Sequence, residues 1–275
     1  MNDFSYHANP LSYDYLLDKA PTSRERRNEY YLHMHNDYEI LFFFDGDAEY
    51  IIENKVYPLK KNSLLFIKPM AHHGLHVLSG KAYERAVLNF SRQILDDEQK
   101  RFVDRFYPYY YMPENSPVYN IFTALRDLEG TFDENEFEFL KNSSLHNVLS
   151  MLKHSESGEL PSGGNGNGTL DKIVAFINEN AHLGLDTRTL SKRFFVSKSW
   201  IDHAFKSTMK TSPKRYINQK KILYAQAKIL DGCSLKDVVE QCNYENYSTF
   251  YRQYRMFLHH EPALDKQLYI ESQKK

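Results

Sequence analysis

The chain has 275 residues, which is enough for about two domains, and its composition of 41% hydrophobic and 26% charged residues excludes an intrinsically disordered protein. The net charge of −1 taken alone argues against a nucleic-acid partner, but residues 169–275 carry 18 Lys and Arg against 11 Asp and Glu, while residues 1–168 carry 17 against 25. Such an asymmetry predicts a polyanionic partner for the basic half of the chain.

The N-terminal part of the chain shows no targeting segment. Its first residues, MNDFSYHANP, lack the basic and apolar regions of a secretion signal, and no apolar stretch of the chain is long enough to cross a membrane. We therefore expect a cytoplasmic protein without a membrane partner.

Residues 30–90 show the pattern of short β-strands. The segments are rich in aromatic and β-branched residues and are separated by turn formers, which is typical of a sandwich or barrel. Asp45-Gly46-Asp47 and Glu53-Asn54-Lys55 are predicted hairpin tips. The predicted strands are 39–44, 48–54, 56–59, 63–68 and 83–90.

Three helices are predicted after these strands, over 95–106, 117–129 and 134–154. The last has an apolar stripe at helical spacing, which by default packs within the chain, with a second subunit as the alternative. The aromatic segment YPYYYMP, residues 107–113, is predicted to be a loop that closes over the barrel. The stripe consists of Phe137, Leu140, Leu145, Val148, Leu149 and Leu152.

A segment rich in Gly, Ser and Asn, SGELPSGGNGNG, occupies residues 157–168 and is typical of a flexible linker. Because it also separates the acidic from the basic half, it marks a domain boundary. We predict a multidomain α+β protein. An N-terminal β-barrel domain of residues 1–95 and a helical region of residues 96–156 precede an all-α domain of residues 169–275.

The part after the linker is predicted to be helical throughout. Asp186, Ser197 and Ser234 are suitable N-caps, and Pro213 suits the first turn of a long helix. The predicted helices are 170–180, 187–195, 198–209, a long helix from Pro213 to Leu230, 235–241 and 246–257.

The chain has only two cysteines, Cys233 and Cys242, which is too few for a disulfide framework. Neither their spacing nor their neighbours indicate a zinc site. Because both lie among apolar residues, we expect buried free thiols.

A short helix, a tight turn and a second helix with a polar face occur twice, over 187–209 and 235–257, and the long helix joins the two pairs. Such a pair is the helix-turn-helix unit, whose second helix lies in the major groove of DNA. In the first unit Ile201, Ala204 and Phe205 face inward, so the outward polar side chains are free to read base edges.

The residues predicted to contact DNA fall into two classes. Side chains that can read base edges are Ser199, Asp202 and His203 in the first unit and Tyr247, Ser248, Tyr251 and Arg252 in the second. Arg252 is the strongest candidate, because a guanidinium can pair bidentately with guanine. Cations suited to phosphates are Lys192, Lys206, Lys210 and Arg255.

Residues 170–262 resemble the DNA-binding domain of the AraC/XylS family of transcription regulators. The resemblance is carried by LSKRFFVSKSWIDHAFK (190–206), SPKRYINQKKILYA (212–225) and SLKDVVEQCNYENYSTFYRQYR (234–255). It implies two helix-turn-helix units on one connecting helix, which enter successive major-groove segments about 34 Å apart. It further implies binding to double-stranded promoter DNA and contact with RNA polymerase.

The chain departs from the usual family pattern in the second unit. Asn243-Tyr244 stands in place of Gly-Phe, Thr249 in place of Tyr, and only Pro262 remains of the closing Gly-x-x-Pro-x-x-Tyr-Arg. These changes predict that the second unit binds DNA less tightly or recognises an unusual base sequence. Trp200, the only tryptophan, is expected to pack partly against the connecting helix, with a base contact as the alternative.

The N-terminal half resembles the cupin-type sensor domain of the same family. The resemblance is carried by HMHNDYE (33–39), by Gly46 six residues later, and by Pro69 and His73. Two positions where glycine is usual are Asn62 and Met70. The sensor domains of this family commonly dimerise through helices beyond the barrel, which implies a homodimer formed through residues 96–156.

The resemblance implies that His33, His35, Glu39 and His73 line a polar pocket for a small effector, often a sugar in this family. Two alternatives remain open. The three imidazoles and the carboxylate suffice to bind Zn²⁺, Mn²⁺ or Fe²⁺. The same groups could instead satisfy one another within the barrel.

The predicted function is a sequence-specific DNA-binding transcription regulator whose cupin domain senses a small molecule, with a carbohydrate as the class that the resemblance suggests. It requires no catalysis and no cofactor. The rival interpretation is a metal-dependent cupin enzyme with a helical appendage.

Overall fold

The computed structural model describes residues 10–19, 21, 32–155 and 168–272. The chain divides into two compact units, one before and one after the predicted linker. That linker lies outside the described residues, except that Gly168 is already the first residue of a helix.

The N-terminal unit contains two antiparallel sheets. The five-stranded sheet has the order β1-β7-β2-β5-β8 and the three-stranded sheet has the order β4-β3-β6. The strands are β1 (Leu11–Asp18), β2 (Tyr38–Asp45), β3 (Ala48–Ile52), β4 (Lys55–Pro58), β5 (Ser63–Ile67), β6 (His73–Val77), β7 (Tyr83–Phe90) and β8 (Tyr109–Tyr111).

The five predicted strands are confirmed, but β1, β6 and β8 were not predicted. The segment 107–113, predicted as a loop, contains β8, which pairs with β5. Of the two predicted hairpin tips, 53–55 does connect the paired strands β3 and β4. The other, 45–47, instead joins the two sheets, since β2 and β3 belong to different sheets. Within the described residues no strand pairing closes these sheets into one barrel.

The five-stranded sheet is buried on both of its faces. Successive side chains of a strand point to opposite faces, so Leu41 and Phe43 of β2 pack with Tyr50 of the three-stranded sheet. Phe42 and Phe44 belong to the core on the other side, which the helices cover. This two-sided burial explains why the segment EILFFF is apolar without alternation.

Three helices cover the face of the five-stranded sheet that carries Phe42 and Phe44. They are α1 (Asp97–Phe102), α2 (Pro117–Leu128) and α3 (Glu134–Leu152). The predicted helix 95–106 is shorter, because Asp96 caps the start of α1 and a 3-10 turn over Val103–Arg105 follows its end. Leu145, Val148 and Leu149 of the apolar stripe are fully buried, so the stripe packs within the chain. A role of these helices in dimerisation remains a prediction.

The C-terminal unit consists of seven α-helices in its described residues. They are α4 (Gly168–Asn180), α5 (Thr187–Phe194), α6 (Lys198–Met209), α7 (Pro213–Leu230), α8 (Leu235–Gln241), α9 (Tyr247–Leu258) and α10 (Pro262–Ser272). The last was not predicted. None of the helices described in either unit combines the length and apolarity that a membrane span requires.

The connecting helix α7 forms the centre of this unit, since buried residues lie on more than one of its faces. Tyr216 packs edge-on against Phe205 of the first helix pair, with ring centroids 5.5 Å apart. Ile222 and Ile229 pack with Phe250 of the second pair. Cys242 is buried in this cluster, which confirms the predicted burial of its thiol. Cys233 is only half-buried, so the prediction was wrong for that residue.

Candidate nucleic-acid interface and histidine cluster

The first helix-turn-helix unit presents its predicted base-reading residues on one exposed face. The hydroxyl of Ser197 accepts a hydrogen bond from the Trp200 amide at 3.1 Å and so sets the start of α6. Ile201, Ala204 and Phe205 are buried. The opposite face carries residues at helical spacing, and all are exposed: Ser199, Asp202, His203 and Lys206.

Two predicted phosphate contacts of this unit lie outside α6. Lys192 is exposed on α5, and Lys210 is the exposed residue that ends α6 in a left-handed conformation. Trp200 is half-buried at the first turn of α6. The structure therefore brings a polar face and several cations together around one helix, which is the arrangement a major-groove helix needs.

The second unit repeats this construction on α9. The Asn246 side chain accepts a hydrogen bond from the Thr249 amide at 2.9 Å. Phe250 and Tyr254 are fully buried, which fixes the rotation of the helix. Of the residues predicted to contact DNA, the following are exposed: Tyr247, Ser248, Arg252 and Arg255.

Tyr251 differs from the other predicted base contacts because its hydroxyl already has a partner. It is half-buried, and the hydroxyl donates to Glu261 at 2.6 Å. This hydrogen bond raises the pKa of Tyr251. A base contact through the hydroxyl would require Glu261 to release it.

In each helix-turn-helix unit, one residue of the turn has a left-handed backbone conformation. Phe195 has φ +56° and Asn243 has φ +51°. Asparagine tolerates this conformation through local hydrogen bonding, but it is costly for a bulky side chain. Phe195 is also 95% exposed, so no packing within the described chain compensates for the strain.

We expect Phe195→Gly to stabilise the C-terminal unit by about 0.5–1 kcal/mol. Relief of about 1–2 kcal/mol of left-handed strain outweighs the entropy cost of glycine, which is about 0.5–1 kcal/mol. Urea unfolding followed by the fluorescence of Trp200 measures the change. Phe195→Ala is the control, since it removes the ring but keeps the strain; equal stabilisation by both variants would contradict the explanation.

The turn of the second unit is held by a lysine from the connecting helix. The Lys221 ammonium donates to the Asn243 carbonyl at 3.2 Å and lies 3.8 Å from the centroid of the Tyr244 ring. Burial lowers the pKa of Lys221. The Tyr244 hydroxyl in turn donates to Gln253 of α9 at 3.0 Å. Asn243 and Tyr244, which replace the usual Gly-Phe of the family, therefore make contacts that hold this turn in place.

A buried polar network lies where the chain departs from the closing motif of the family. Asp265 of α10 has no exposed surface and accepts hydrogen bonds from the Tyr254 hydroxyl, from Gln226 at 3.3 Å and from His260 at 2.8 Å. The network ties α10 to α7 and to α9. Sequence reasoning missed it, because its members come from three separate segments.

The four predicted pocket residues of the N-terminal unit converge at one point. His33 and His35 precede β2, Glu39 lies on β2, and His73 begins β6. The backbones of His33 and His73 exchange two hydrogen bonds, of 2.9 and 3.0 Å. One nitrogen or oxygen of each of the four side chains lies within 4.8 Å of the others.

Two of these imidazoles have defined ring orientations. His35 Nδ1 donates to the Asp37 carbonyl at 3.0 Å, and His73 Nδ1 donates to the Ala71 carbonyl at 2.8 Å. A carbonyl only accepts, so each Nδ1 carries the proton. The Nε2 atoms then face Glu39 Oε2 at 3.3 Å for His35 and 3.4 Å for His73.

Glu39 is the centre of the cluster. Its other oxygen, Oε1, accepts a hydrogen bond from the Tyr50 hydroxyl at 2.9 Å. Burial alone would raise the pKa of Glu39, but the neighbouring His73 and His35 hold it well below the usual value. Burial alone would lower the pKa of His35, yet the hydrogen bond to Glu39, the charge of Glu39 and the nearby Asp37 together outweigh it and raise the pKa. The cluster thus combines a buried anion with nitrogens that can hold a proton or a cation.

Comparison with known proteins gives two family matches. The AraC-like ligand binding domain matches residues 21–149, and a helix-turn-helix domain matches residues 190–264. No curated protein matches the chain.

Several solved structures are similar to the chain. ToxT from Vibrio cholerae is 13% identical over 94% of this chain and 98% of that one, with a TM-score of 0.40. An AraC-type regulator from Chromobacterium violaceum is 18% identical over 39% of this chain and 96% of its own, with a TM-score of 0.36. The DNA-binding domain of AdpA, solved with a target DNA, is 23% identical over 38% and 96%, with a TM-score of 0.35.

Proposed function

The chain belongs to the AraC/XylS family of DNA-binding transcription regulators, with an N-terminal ligand-binding domain, and from that premise we propose which residues carry its function. The observation that supports the assignment is the pair of exposed polar faces on α6 and α9, each fixed by a side-chain cap and a buried apolar face. We assign these faces to successive major-groove segments of promoter DNA.

The proposed base-reading residues are those whose side chains remain exposed on the two faces. Arg252 is assigned to a guanine, because its guanidinium is exposed on α9 and can donate two parallel hydrogen bonds. Lys192, Lys206, Lys210 and Arg255 are assigned to phosphates, where they set register and salt dependence. Glu261 restrains Tyr251, so we rank Tyr251 below Arg252.

We expect Arg252→Ala to weaken specific DNA binding by about 1–3 kcal/mol and to relax the preference at one base position. Fluorescence anisotropy measures this on a fragment from upstream of the gene and its neighbours, against a scrambled fragment of equal length across a salt series. The matched variant is Arg255→Ala, which should weaken binding to all sequences alike. Equal loss of binding by Arg252→Ala on both fragments would contradict a base contact.

The sensor function is assigned to the cluster of His33, His35, Glu39 and His73. A carbohydrate effector is the class suggested by the family resemblance, and it stays a prediction. Effector binding would shift the populations of two domain arrangements by no more than its difference in affinity for them. A protein with this function acts in the cytoplasm, where we place it.

A homodimer formed through α2 and α3 is also proposed. The apolar stripe of α3 is used within the chain, so the contact has to involve its other side, where Phe139 is 77% exposed. Contact with RNA polymerase is proposed from the family alone. The rival interpretation, a metal-dependent enzyme with a helical appendage, gives no role to the two capped polar helix faces and is not favoured.

A further inference from the structure

We propose that Glu261 is a specificity-determining residue that acts by repulsion. Its carboxylate is held against the outward face of α9, where it disfavours every DNA complex that brings a phosphate to that place. This inference rests on the proposed function and deepens it, because it assigns the residue that makes the second unit reject non-target DNA.

The carboxylate of Glu261 is brought to α9 from outside that helix. The sequence of α9, YSTFYRQYRMFL, contains Arg252 and Arg255 but no aspartate or glutamate. Glu261 lies in the short segment between α9 and α10 and is exposed, and its Oε1 atom accepts a hydrogen bond from the Tyr251 hydroxyl at 2.6 Å. A negative charge therefore lies beside a helix face that we assign to a polyanion.

The hydrogen bond between Tyr251 and Glu261 is of a strong kind. A hydroxyl that donates to a carboxylate makes contacts of about 2.5–2.7 Å, shorter than those between neutral groups. This hydrogen bond raises the pKa of Tyr251, and the nearby Arg255, whose guanidinium lies 5.9 Å from the centroid of the Tyr251 ring, opposes the rise. The hydroxyl of Tyr251 thus lies between the carboxylate and a cation that we assign to a phosphate.

The backbone of Glu261 is restrained on both sides. His259 ends α9 in a left-handed conformation, with φ +61°. His260 contacts the buried Asp265 at 2.8 Å, and Pro262, which is buried, begins α10. These restraints and the hydrogen bond to Tyr251 keep the carboxylate in place, so that an approaching phosphate meets its charge.

The charge of Glu261 acts mainly against non-target DNA. Binding to such DNA depends almost entirely on contacts between cations and phosphates. Because Arg255 and Glu261 flank the same tyrosine, a phosphate that pairs with Arg255 in an arbitrary register also approaches the carboxylate, and like charges that face each other suppress wrong partners. On the target site the base contact assigned to Arg252 holds α9 in one register, in which we infer that the carboxylate faces the groove. A charge placed against the wrong complex in this way increases specificity.

The test is fluorescence anisotropy of the full-length Glu261→Gln variant on the native and the scrambled fragments across a salt series. The amide oxygen of glutamine can still accept the Tyr251 hydrogen bond, so the substitution removes the charge and keeps the contact. We expect the affinity for the scrambled fragment to rise about 2–5-fold, the range for exposed charges, and that for the native fragment to change less than about 2-fold. The rise should shrink as salt is added, because salt screens exposed charges.

Asp231→Asn is the matched control variant. Asp231 is an exposed carboxylate at the end of α7, outside both α6 and α9, so its loss changes the net charge equally at a different place. It should leave the affinity for the scrambled fragment unchanged. Glu261→Lys, with Asp231→Lys as its own control, reverses the charge and should raise the affinity for the scrambled fragment by a second factor of similar size.

Three results would overturn the role of Glu261. They are an equal gain in Glu261→Gln and Asp231→Asn, an equal change on the native and the scrambled fragments, and a gain that does not depend on salt. Weaker binding of Glu261→Gln to both fragments would show a structural role instead and also overturn it. A failure of the unmodified protein to prefer the native fragment overturns the proposed function, whereas a preference that Glu261→Gln leaves unchanged overturns only the role of Glu261.

Discussion

Replacing Asp265 with asparagine is expected to lower the free energy of unfolding of the C-terminal unit by about 1–3 kcal/mol, since it replaces a buried carboxylate that accepts three hydrogen bonds. The carboxylate has no exposed surface, and His260, which faces it at 2.8 Å, is itself 10% exposed. His260 Nδ1 contacts the Leu258 carbonyl, and Nε2 contacts Asp265. An amide oxygen accepts hydrogen bonds more weakly than a carboxylate does, so the substitution weakens the network.

Urea unfolding of the full chain measures this effect. Trp200 is the only tryptophan and lies in the C-terminal unit, so its fluorescence reports the unfolding of that unit. Asp231→Asn is the control, because Asp231 is an exposed carboxylate of the same unit. The explanation fails if both variants unfold at the same urea concentration.

The consequence for DNA binding follows from where the network is attached. Tyr254 lies on the buried face of α9, and its hydroxyl donates to Asp265. Loss of the network therefore loosens the helix that carries Arg252. We expect Asp265→Asn to weaken DNA binding even where the unit remains folded, with a smaller effect on contacts made by α6.

The helices of the C-terminal unit could be predicted from sequence because their signals are local. Ser197, Ser212 and Ser234 each cap the helix that follows, as their hydroxyls accept amide hydrogen bonds within three residues. The residues on the polar faces of α6 and α9 could be predicted from helical spacing, which is also a local signal. Predictions of this kind need no information about distant parts of the chain.

The elements that were missed depend on distant partners. β1 is half-exposed and is stabilised by pairing with β7, more than 60 residues away in sequence. α10 lacks the family's closing motif, and it docks through Asp265 and through Lys266, whose ammonium donates to the Gly232 carbonyl at 2.8 Å. Tertiary contacts of this kind override weak local patterns.

The candidate site in the N-terminal unit was predicted as a set of residues, but its chemistry was not. The resemblance to the cupin motifs implied the set of His33, His35, Glu39 and His73, and these side chains do lie close together. The direction of each ring depends on backbone carbonyls, and the Glu39 carboxylate depends on Tyr50, which lies on the opposite sheet. These contacts depend on the folded backbone and on a residue of another sheet, so the sequence could not predict them.

We expect Gly46→Ala to destabilise the N-terminal unit by about 2–6 kcal/mol. Gly46 has φ +137°, a conformation that side-chain-bearing residues rarely adopt and that costs about 1–3 kcal/mol. An added Cβ would lie 2.5 Å from Tyr83 Cβ and 2.9 Å from Tyr83 Cα, and overpacking adds about 1–3 kcal/mol. The backbone cannot easily yield, because this turn directs the chain from one sheet to the other.

Gly130→Ala separates the close contact from the backbone conformation. Gly130 also has a positive φ, +74°, but an added Cβ would meet nothing within 4 Å. It should cost only the conformational part, about 1–2 kcal/mol. Thermal unfolding followed by near-UV circular dichroism detects the tyrosine-rich N-terminal unit, while Trp200 fluorescence should be unchanged in both variants. Equal losses from Gly46→Ala and Gly130→Ala would mean that the contact with Tyr83 is relieved by movement, and that the turn between the sheets is less rigid than its geometry implies.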